Sequence, residues 1–278
     1  MPSDWTWDET LFAGAAAHYD RGRLPYAPGL SEALREALSL HGTGRLLDVG
    51  CGPGTITLRF AGLFESVVGM DADAGMLAEA KRLAAERGIA NASWVHGLAE
   101  TLPAGLGTFR VITFAQSFHW MERDRVASAA RGMLEPGGVV VHVDNRHHEG
   151  VDPGTDADHP APPTEAIDRL RLRYLGPDRR AGQSIRNVSP GNEAAVFRAA
   201  GFNGPEVVAV PDGRLLTRST DDIVHGVFSN SSTAPHLFGE RLAAFEVDLR
   251  AILAASSPDS LFSVQLPDNQ LIIWRSAN

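Results

Sequence analysis

The sequence of 278 residues predicts a doubly wound α/β fold, in which helices cover both faces of a mostly parallel sheet. Short apolar runs alternate with amphipathic helical patterns between residues 31 and 143. These runs are apolar throughout, which is typical of strands that are buried on both faces of a parallel sheet. A glycine-rich turn at 50–54 follows the first run directly, where this architecture binds its ligands.

Helical and strand periodicities predict the elements of the first half in order. Leu30, Leu34 and Leu38 recur at helical spacing, and Ser31 is the expected cap of a helix over 31–40. The other predicted elements are strands at 45–50, 66–71, 92–96, 109–115 and 138–143, and helices at 55–63, 74–87 and 124–134.

The pattern changes after residue 143. Segment 144–190 begins with many prolines, glycines and histidines, which indicates a long loop or an inserted lid. The α/β pattern returns with a helix at 191–200, a strand at 206–210 and a helical stretch at 220–255. Two final strands, 261–266 and 270–275, are joined by Pro267-Asp268-Asn269, a turn signal that predicts an antiparallel hairpin.

Composition and charge limit the classes of partner. The net charge of -9 and the pI of about 5.5 disfavour nucleic acid, because binding its phosphates requires a basic surface. The densest basic stretch, 169–180, interleaves arginines with leucines and predicts an amphipathic helix with a solvated face. The sequence shows neither a secretory signal nor an apolar run of the roughly 20 residues that span a membrane. The expected location is the cytoplasm.

The glycine turn narrows the choice of cofactor. Gly50, Gly52 and Gly54 lie between a strand and a helix, where the backbone turns sharply and approaches a ligand closely. The dinucleotide fingerprint requires glycine where Thr55 stands, and the phosphate-binding loop requires a lysine after the glycines, so both patterns fail. Asp48, just before the turn, suits a cationic ligand better than a pyrophosphate.

An acidic residue at the end of the second strand completes the cofactor signal. Asp71 follows the first glycine by about twenty residues, a spacing at which a carboxylate binds both hydroxyls of a ribose. Adenosine is therefore common to the competing cofactors, and the glycine turn decides between them. NAD is the second choice, disfavoured by Thr55.

Residues 46–55, with the sequence Leu-Leu-Asp-Val-Gly-Cys-Gly-Pro-Gly-Thr, resemble the first motif of class I S-adenosylmethionine-dependent methyltransferases, which have a Rossmann-like fold. Further matches follow in the family's order, and together they cover roughly residues 25–145. They lie at 67–71 with Met76, at 97–103, at 109–120 and at 134–141. The Phe118-His119-Trp120 ending and the long C-terminal half are similar to the type-11 branch, which includes trans-aconitate methyltransferase-like enzymes.

The resemblance implies which residues bind S-adenosylmethionine. The glycine turn lies against the methionine part of the cofactor, and the acid at the strand end holds the ribose. Met76 packs on the adenine with Ala99 and Glu100 at its edge, although many relatives have aspartate where this chain has Leu98. The implied cofactor residues are Asp48, Gly50, Cys51, Gly52, Gly54, Asp71, Met76, Ala99, Glu100, Gln116, Ser117 and Arg23.

The predicted domain organisation has four parts. Residues 1–43 form a strap and a helix over the site, and residues 44–143 form the S-adenosylmethionine-binding core. Residues 144–190 are the insertion or lid. Residues 191–278 complete the sheet and include a helical substrate-pocket insertion at about 214–258.

Three residues are candidates for catalysis. Methyl transfer from a sulfonium needs alignment and exclusion of water, and it needs a general base only when the acceptor must lose a proton. His119, just past the fourth strand, either takes that proton or orients the acceptor, and the alternative is that His119 and Trp120 only wall the pocket or cap the next helix. Tyr19 and Tyr26 belong to an N-terminal segment that folds over the cofactor in the family, with Arg23 between them, and the alternative is a surface strap with solvated arginines.

The expected reaction transfers a methyl group to O, N or C of a small metabolite and leaves S-adenosylhomocysteine. Phe118 and Trp120 are expected to wall the acceptor pocket, beneath a lid that favours a small acceptor. Two alternatives stay open: a protein or RNA methyltransferase, and a module that binds the cofactor without transferring methyl. A homo-oligomer is compatible with the sequence.

Histidines and aspartates between 142 and 159 resemble metal ligands by composition alone. Adjacent His147 and His148 point apart in an extended chain, and the sequence contains no H-E-x-x-H pair. Cys51 is the single cysteine, which excludes a disulfide within the chain and a cysteine-rich zinc site. A polar loop without a metal is therefore expected.

Overall fold

The apolar strands form a central sheet in the computed structural model, which describes residues 8–145, 150–154, 157–178, 180–181, 184–185 and 192–277. In chain order the strands are β1 (Arg45–Val49), β2 (Ser66–Asp71), β3 (Ala92–His96), β4 (Phe109–Ala115), β5 (Leu134–Asn145), β6 (Arg180–Ala181), β7 (Ser184–Ile185), β8 (Phe202–Val210), β9 (Leu215–Ser219), β10 (Leu261–Gln265) and β11 (Asn269–Ser276). Seven of these described strands form the main sheet, in the order β3-β2-β1-β4-β5-β11-β8. The first five are parallel, and β11 runs antiparallel to both β5 and β8.

Helices cover both faces of this sheet. The helices of the described residues are, in chain order, α1 (Ala16–Gly22), α2 (Leu30–Leu38), α3 (Thr55–Phe60), α4 (Ala74–Glu86), α5 (Arg123–Gly132), α6 (Thr164–Leu175), α7 (Glu193–Ala199), α8 (Thr220–Phe228) and α9 (Leu242–Ser256). The apolar residues of α2 and α3 pack on one face of the sheet, and those of α5 and α7 pack on the other.

The two faces are built from alternating residues of the same strands. Leu46 joins the cluster with α2 and α3, whereas its neighbour Leu47 joins the cluster with α5 and α7. Both side chains are fully buried. Successive side chains of a strand point to opposite faces, so a strand that is buried on both sides must be apolar at every position.

The strand order reverses between β1 and β4, and this reversal positions the ligand site. The chain passes from β1 to β2 on one side and later returns to form β4 on the other side. Connections that leave two adjacent parallel strands in opposite directions open a crevice at the carboxyl ends of those strands. The glycine turn lies directly after β1, at the mouth of this crevice.

The predicted fold class is confirmed, and most predicted strands are found. The strands at 66–71, 92–96 and 109–115 have the predicted bounds. The prediction for Ser31 is wrong, because α2 begins at Leu30 after Gly29 and Ser31 lies inside the helix. Its hydroxyl instead donates to the carbonyl of Arg59 at 3.3 Å.

Antiparallel pairing is present at the carboxyl-terminal end, but the partners differ from the expected ones. Strand β10 pairs with β9, which the sequence did not predict, and β11 enters the main sheet between β5 and β8. The two strands joined by Pro267-Asp268-Asn269 therefore belong to different sheets. Leu271, Ile273 and Trp274 are buried on both faces of β11, so this strand fits the interior of a sheet.

A second layer, called here the lid layer, consists of α6, α8, α9 and the β9–β10 pair. It has its own apolar cluster, which includes Phe228, Phe245 and Phe262. The helical stretch predicted at 220–255 is interrupted after Phe228 by two short 3-10 segments, Ser231–Thr233 and Pro235–Arg241. This layer and the α1 segment face the carboxyl ends of the strands.

One polar side chain, His142 of β5, lies inside the main apolar core. Its ring packs against Phe114, Phe118 and Phe197, with centroids 5.6, 5.3 and 4.9 Å away. Burial lowers the pKa of His142 to about 4. The folded protein therefore keeps this imidazole neutral well below its ordinary pKa of 6.5.

We predict that His142→Leu reduces the pH dependence of stability between pH 6.5 and pH 4. In this range the unfolded chain binds a proton at His142 and the folded chain does not, so the free energy of unfolding falls as the pH decreases. The variant should lose up to about 1.4 kcal/mol per pH unit of this slope. Urea unfolding at several pH values tests the prediction, which is wrong if the slopes of variant and wild type agree.

Candidate functional site

A cavity of about 800 Å³ opens at the carboxyl ends of β1, β2 and β4. Strand ends and the turns after them form its floor, and α1, the segment after it and the lid layer form its roof. The predicted site residues that line it are Tyr19, Arg23, Tyr26, Gly50, Cys51, Gly52, Asp71, Met76, Ala99, Glu100, Gln116, Ser117, His119 and Trp120. Three further predicted residues, Asp48, Gly54 and Phe118, are absent from this lining.

The glycine turn brings bare backbone to the cavity. Gly52 has a φ of +56°, and a Cβ added there would meet no atom within 4 Å. Its amide donates to Oδ2 of Asp71 at 2.7 Å. Gly50 has a φ of +68°, and a Cβ there would lie 2.5 Å from Cβ of Ser117. Both positions thus require the left-handed backbone that glycine adopts without strain.

The carboxylate at the end of β2 is held by backbone amides. Oδ2 of Asp71 accepts from Gly52, and Oδ1 accepts from the amide of Asp73 at 2.8 Å. Burial raises the pKa of Asp71, while the amide bonds oppose this shift. Each carboxylate oxygen has two lone pairs, so Asp71 retains the capacity to accept further hydrogen bonds from a ligand in the cavity.

Asp48 lies outside the cavity lining, so it does not make the predicted contact with a cationic ligand there. It is fully buried beneath the turn and accepts from the hydroxyls of Thr57 at 2.7 Å and Thr113 at 2.8 Å. Burial raises the pKa of Asp48 to about 6. These bonds tie β1 to α3 and β4, and so fix the strand from which the glycine turn departs.

One end of the cavity has apolar walls beside an acidic group. Met76 and Ala99 line it and are almost wholly buried. Oε1 of Glu100 accepts from the amide of Glu122 at 2.7 Å. Leu98, where many family members have aspartate, also lines this end.

The residues after β4 have an uncommon backbone conformation, which side-chain hydrogen bonds hold in place. Gln116 has a φ of +58°, which is uncommon for a residue with a side chain. Its Nε2 donates to Oδ1 of Asp144 at 2.8 Å, and the hydroxyl of Ser117 donates to the carbonyl of Val49 at 2.6 Å. Asp144 was not predicted as a site residue, although it lies at the carboxyl end of β5, next to β4.

His119 and Trp120 reach the cavity, whereas Phe118 does not. The rings of His119 and Trp120 have centroids 4.8 Å apart, and Phe12 packs edge-on against Trp120 at 6.2 Å. Phe118 is 2% exposed and packs on Phe114 and Phe197 in the main core. The predicted role of Phe118 as a pocket wall is therefore wrong, because its side chain points to the opposite side of the 3-10 turn.

The segment from α1 to Tyr26, called here the strap, covers the cavity. The guanidinium of Arg23 lies over the ring of Tyr19 at 4.9 Å, and its Nη2 donates to the carbonyl of Ser229 at 2.9 Å. Its Nε is buried without a hydrogen-bond partner among the described residues. Burial raises the pKa of Tyr26, so its phenol stays protonated.

Arg218 of β9 fastens the strap to the lid layer. Its Nη2 donates to the carbonyls of Arg21 and Gly22 in α1 and of Asp222 in α8, at 2.9, 3.1 and 3.0 Å. Arg218 is 7% exposed and lines the cavity. Arg171, Arg218 and Asn230 are cavity residues that sequence reasoning missed, because their positions depend on how the lid layer folds.

Cys51 and Gly54 complete the turn. Cys51 is 7% exposed at the cavity, and burial raises the pKa of its thiol, so it is not a reactive thiolate. Gly54 lies just before α3 and outside the cavity lining, and a Cβ there would lie 2.6 Å from the ring of Trp94. Gly54 therefore serves packing between the turn and β3.

The predicted polar loop is described only in part. His147, His148 and Asp156 lie outside the described residues. Within the described ranges, no group of three or more His, Cys, Asp or Glu side chains is arranged to hold a metal ion. None of the helices in that part of the chain combines the length and the apolar character that crossing a bilayer requires.

Comparison with known proteins identifies the family. Residues 46–138 match the family described as "Methyltransferase domain". The chain is 32% identical over 213 residues to a ubiquinone/menaquinone biosynthesis C-methyltransferase, UbiE, of Methylobacterium nodulans, and the match covers 69% of this chain and 81% of that one. This chain belongs to the class I S-adenosylmethionine-dependent methyltransferases.

The chain is also similar in sequence or in fold to other methyltransferases. An uncharacterised methyltransferase of Bacillus subtilis, YcgJ, is 33% identical over 152 residues, which are 54% of this chain. The chain spans 50%, 58% and 65% of the lengths of three curated relatives that it matches. The fold is shared with a Geobacter sulfurreducens methyltransferase solved with S-adenosylhomocysteine, with a TM-score of 0.50, 18% identity and coverage of 95% of this chain and 96% of that one.

The geometry fits the cofactor of this methyltransferase family. Asp71 faces the cavity with spare acceptor capacity, which suits the two hydroxyls of a ribose. Gly52 leaves room beside the turn for the cofactor to contact the backbone. Met76 and Ala99 supply the apolar surface that an adenine ring requires.

We predict that Gly50→Ala strongly destabilises the protein. The variant combines a left-handed φ with a clash against Ser117, and we expect the free energy of unfolding to fall by roughly 2–5 kcal/mol. Gly62→Ala is the matched control, because a Cβ there meets nothing within 4 Å. Urea unfolding compares the two variants, and equal stabilities would contradict the role assigned to Gly50.

Proposed function

We propose that the protein transfers a methyl group from S-adenosylmethionine to a small-molecule acceptor. The observation that carries this proposal is one continuous cavity, formed by described residues, that joins the glycine turn and Asp71 to the lid layer. One half offers the groups for an adenosine cofactor, and the strap and the lid layer cover the other half. A covered acceptor half supports a small molecule over a macromolecular surface.

The cofactor half divides among three groups of residues in this proposal. Asp71 binds the ribose hydroxyls, and Gly50, Cys51 and Gly52 approach the methionine part through their backbone. Met76 and Ala99 pack on the adenine. Oε1 of Glu100 already accepts from Glu122, which leaves Oε2 for the adenine edge. Arg23 of the strap has a buried Nε without a partner among the described residues, and we assign this donor to the carboxylate of the cofactor.

The residues of the acceptor half align the acceptor and exclude water. When bound, S-adenosylmethionine supplies an electrophilic methyl group that an acceptor atom attacks in line with the departing sulfur. Gln116 and Ser117 are fixed by their bonds to Asp144 and Val49, so they form a rigid wall at this point. Pre-organised alignment of this kind lowers the barrier without a fixed catalytic triad.

A general base is needed only when the methyl acceptor must lose a proton. His119 lines the cavity with its ring against Trp120, and Tyr19 and Tyr26 offer phenol groups from the strap. Because the pKa of Tyr26 is raised, this phenol donates a hydrogen bond and does not act as a base near neutral pH. We assign His119 to orienting the acceptor, with removal of a proton as the second possibility.

Two other functions are less well supported. A protein or RNA methyltransferase needs an open groove beside the cofactor, whereas the strap is fastened over this cavity by Arg218. A module that only binds the cofactor would not need a covered acceptor half. The type-11 branch stays an expectation from Phe118-His119-Trp120, and the proposal does not depend on it.

We predict that S-adenosylhomocysteine raises the Tm of the protein and that NADH does not. At a hundredfold excess over the Kd, a ligand stabilises the folded state by roughly 2.7 kcal/mol. Stabilisation by NADH alone would refute the cofactor assignment.

Asp71→Asn should weaken the affinity for S-adenosylhomocysteine at least about tenfold, because the amide loses the charge and one acceptor. Asp124→Ala, at an exposed acid outside the cavity lining, is the control.

We predict that His119→Asn retains much of the wild-type kcat, because an amide still donates and accepts hydrogen bonds. Production of S-adenosylhomocysteine from a panel of small acceptors gives the rate, and kcat is then followed against pH for wild type, His119→Asn and His119→Ala. A general base would instead show a loss of about 10²–10⁴-fold in both variants. Unchanged rates in both variants at every pH would remove His119 from the site.

A further inference from the structure

A cationic group with one unpartnered nitrogen enters the cavity from the lid layer. Arg171 of α6 is 8% exposed and lines the cavity. Its Nη1 is buried and has no hydrogen-bond partner in the described part of the chain. The sequence predicted a solvated face for this basic stretch, and Arg169 fulfils that expectation with a side chain that is 70% exposed. Arg171, two residues later on the same helix, does not.

The charge of Arg171 is only partly compensated by its neighbours. Its Nε lies 3.4 Å from Oδ1 of Asp168, a carboxylate whose side chain is 58% exposed. Among the other arginines of the roof, Arg218 donates to backbone carbonyls and Arg21 pairs with Asp222 at 2.7 Å. Arg23 also has a buried, unpartnered Nε, and the proposed function assigns it to the carboxylate of the cofactor. A buried guanidinium with an unpaired donor destabilises the folded state unless another anionic or carbonyl group pairs with it.

We propose that Arg171 binds an anionic oxygen group, a carboxylate or a phosphate, of the methyl acceptor. A guanidinium presents its N–H donors in a planar fork that matches both groups, and such charge-assisted bonds are strong when water is excluded. This inference rests on the proposed function, since it assigns an acceptor to the lid half of the same cavity. Ile167 and Val227 line the cavity beside it, so an anion joined to an apolar body fits this half.

The position of α6 favours the acceptor over the carboxylate of the cofactor itself. Helix α6 packs on α9 and on the 3-10 segment Pro235–Arg241, so Arg171 enters the cavity from the lid layer. The methionine part of the cofactor belongs at the glycine turn, on the floor. Ile167 and Asp168 of the same helix also line a smaller side cavity of about 110 Å³ with Arg218 and Pro162, which continues the lid half away from the floor.

The experiment titrates three probes into the protein saturated with S-adenosylhomocysteine: benzoate, phenyl phosphate and the neutral analogue benzamide. Isothermal titration calorimetry measures each affinity. At least one anion should bind the wild type, about tenfold or more tightly than benzamide. Comparison of benzoate with phenyl phosphate decides which anionic group the subsite prefers.

Variants on the same helix supply the matched comparison. Arg171→Gln should weaken binding of the preferred anion at least about tenfold, and Arg171→Lys should restore part of the loss because it keeps the charge. Arg169→Gln, which removes an exposed arginine two residues away, should bind like the wild type. Without ligands, the Tm of Arg171→Met should equal or exceed that of the wild type, because a buried charge that is only partly compensated has been removed.

Four outcomes would overturn the inference. In the first outcome, neither anion binds the wild type, and in the second, Arg171→Gln binds the anion with wild-type affinity. In the third outcome, Arg171→Met lowers the Tm, as the loss of a purely structural arginine would. In the fourth outcome, Arg171→Gln weakens S-adenosylhomocysteine as much as the anion, which would assign Arg171 to the carboxylate of the cofactor. Absence of S-adenosylhomocysteine binding in the wild type would instead refute the proposed function, so the two failures are distinguishable.

Discussion

The close approach of the turn after β1 to the end of β4 is the constraint on which the site depends. The reversal of strand order brings these two ends together, and Ser117 then fills the space into which a side chain at Gly50 would project. Glycine at this position allows the turn and the end of β4 to approach each other this closely. Beneath the turn, Asp48 joins the strands through Thr57 and Thr113, so the floor is rigid before any ligand binds.

A rigid floor alone would leave an open crevice, and the lid layer turns it into a cavity. Arg218 joins the strap to the lid layer through three carbonyls, and His18 of α1 meets His225 of α8 with their Nδ1 atoms 3.0 Å apart. These contacts therefore hold the strap against the lid layer. Charged contacts inside a covered space of this kind are stronger than the same contacts in bulk water.

Both signs of charge line the cavity. The carboxylates of Asp71 and Glu100 lie on the floor, and the roof combines the guanidinium groups of Arg23 and Arg171 with the carboxylates of Asp168 and Asp222. Both guanidinium groups have a buried nitrogen without a partner among the described residues. Acidic groups on the floor suit the hydroxyls and amino group of an adenosine cofactor, and basic groups on the roof suit an anion.

The sequence by itself determined the parallel strands of the sheet, the glycine turn and the place of Asp71 at a strand end, because strand burial and backbone conformation depend on residues that are close along the chain. Only the tertiary structure decided which side chains reach the cavity. Phe118 and His119 are adjacent, yet one lies in the core and the other in the cavity. Arg169 and Arg171 lie on one helix, yet only Arg171 is buried. The pairing of β10 with β9 and the path of the strap likewise depend on contacts between distant segments, which local patterns do not encode.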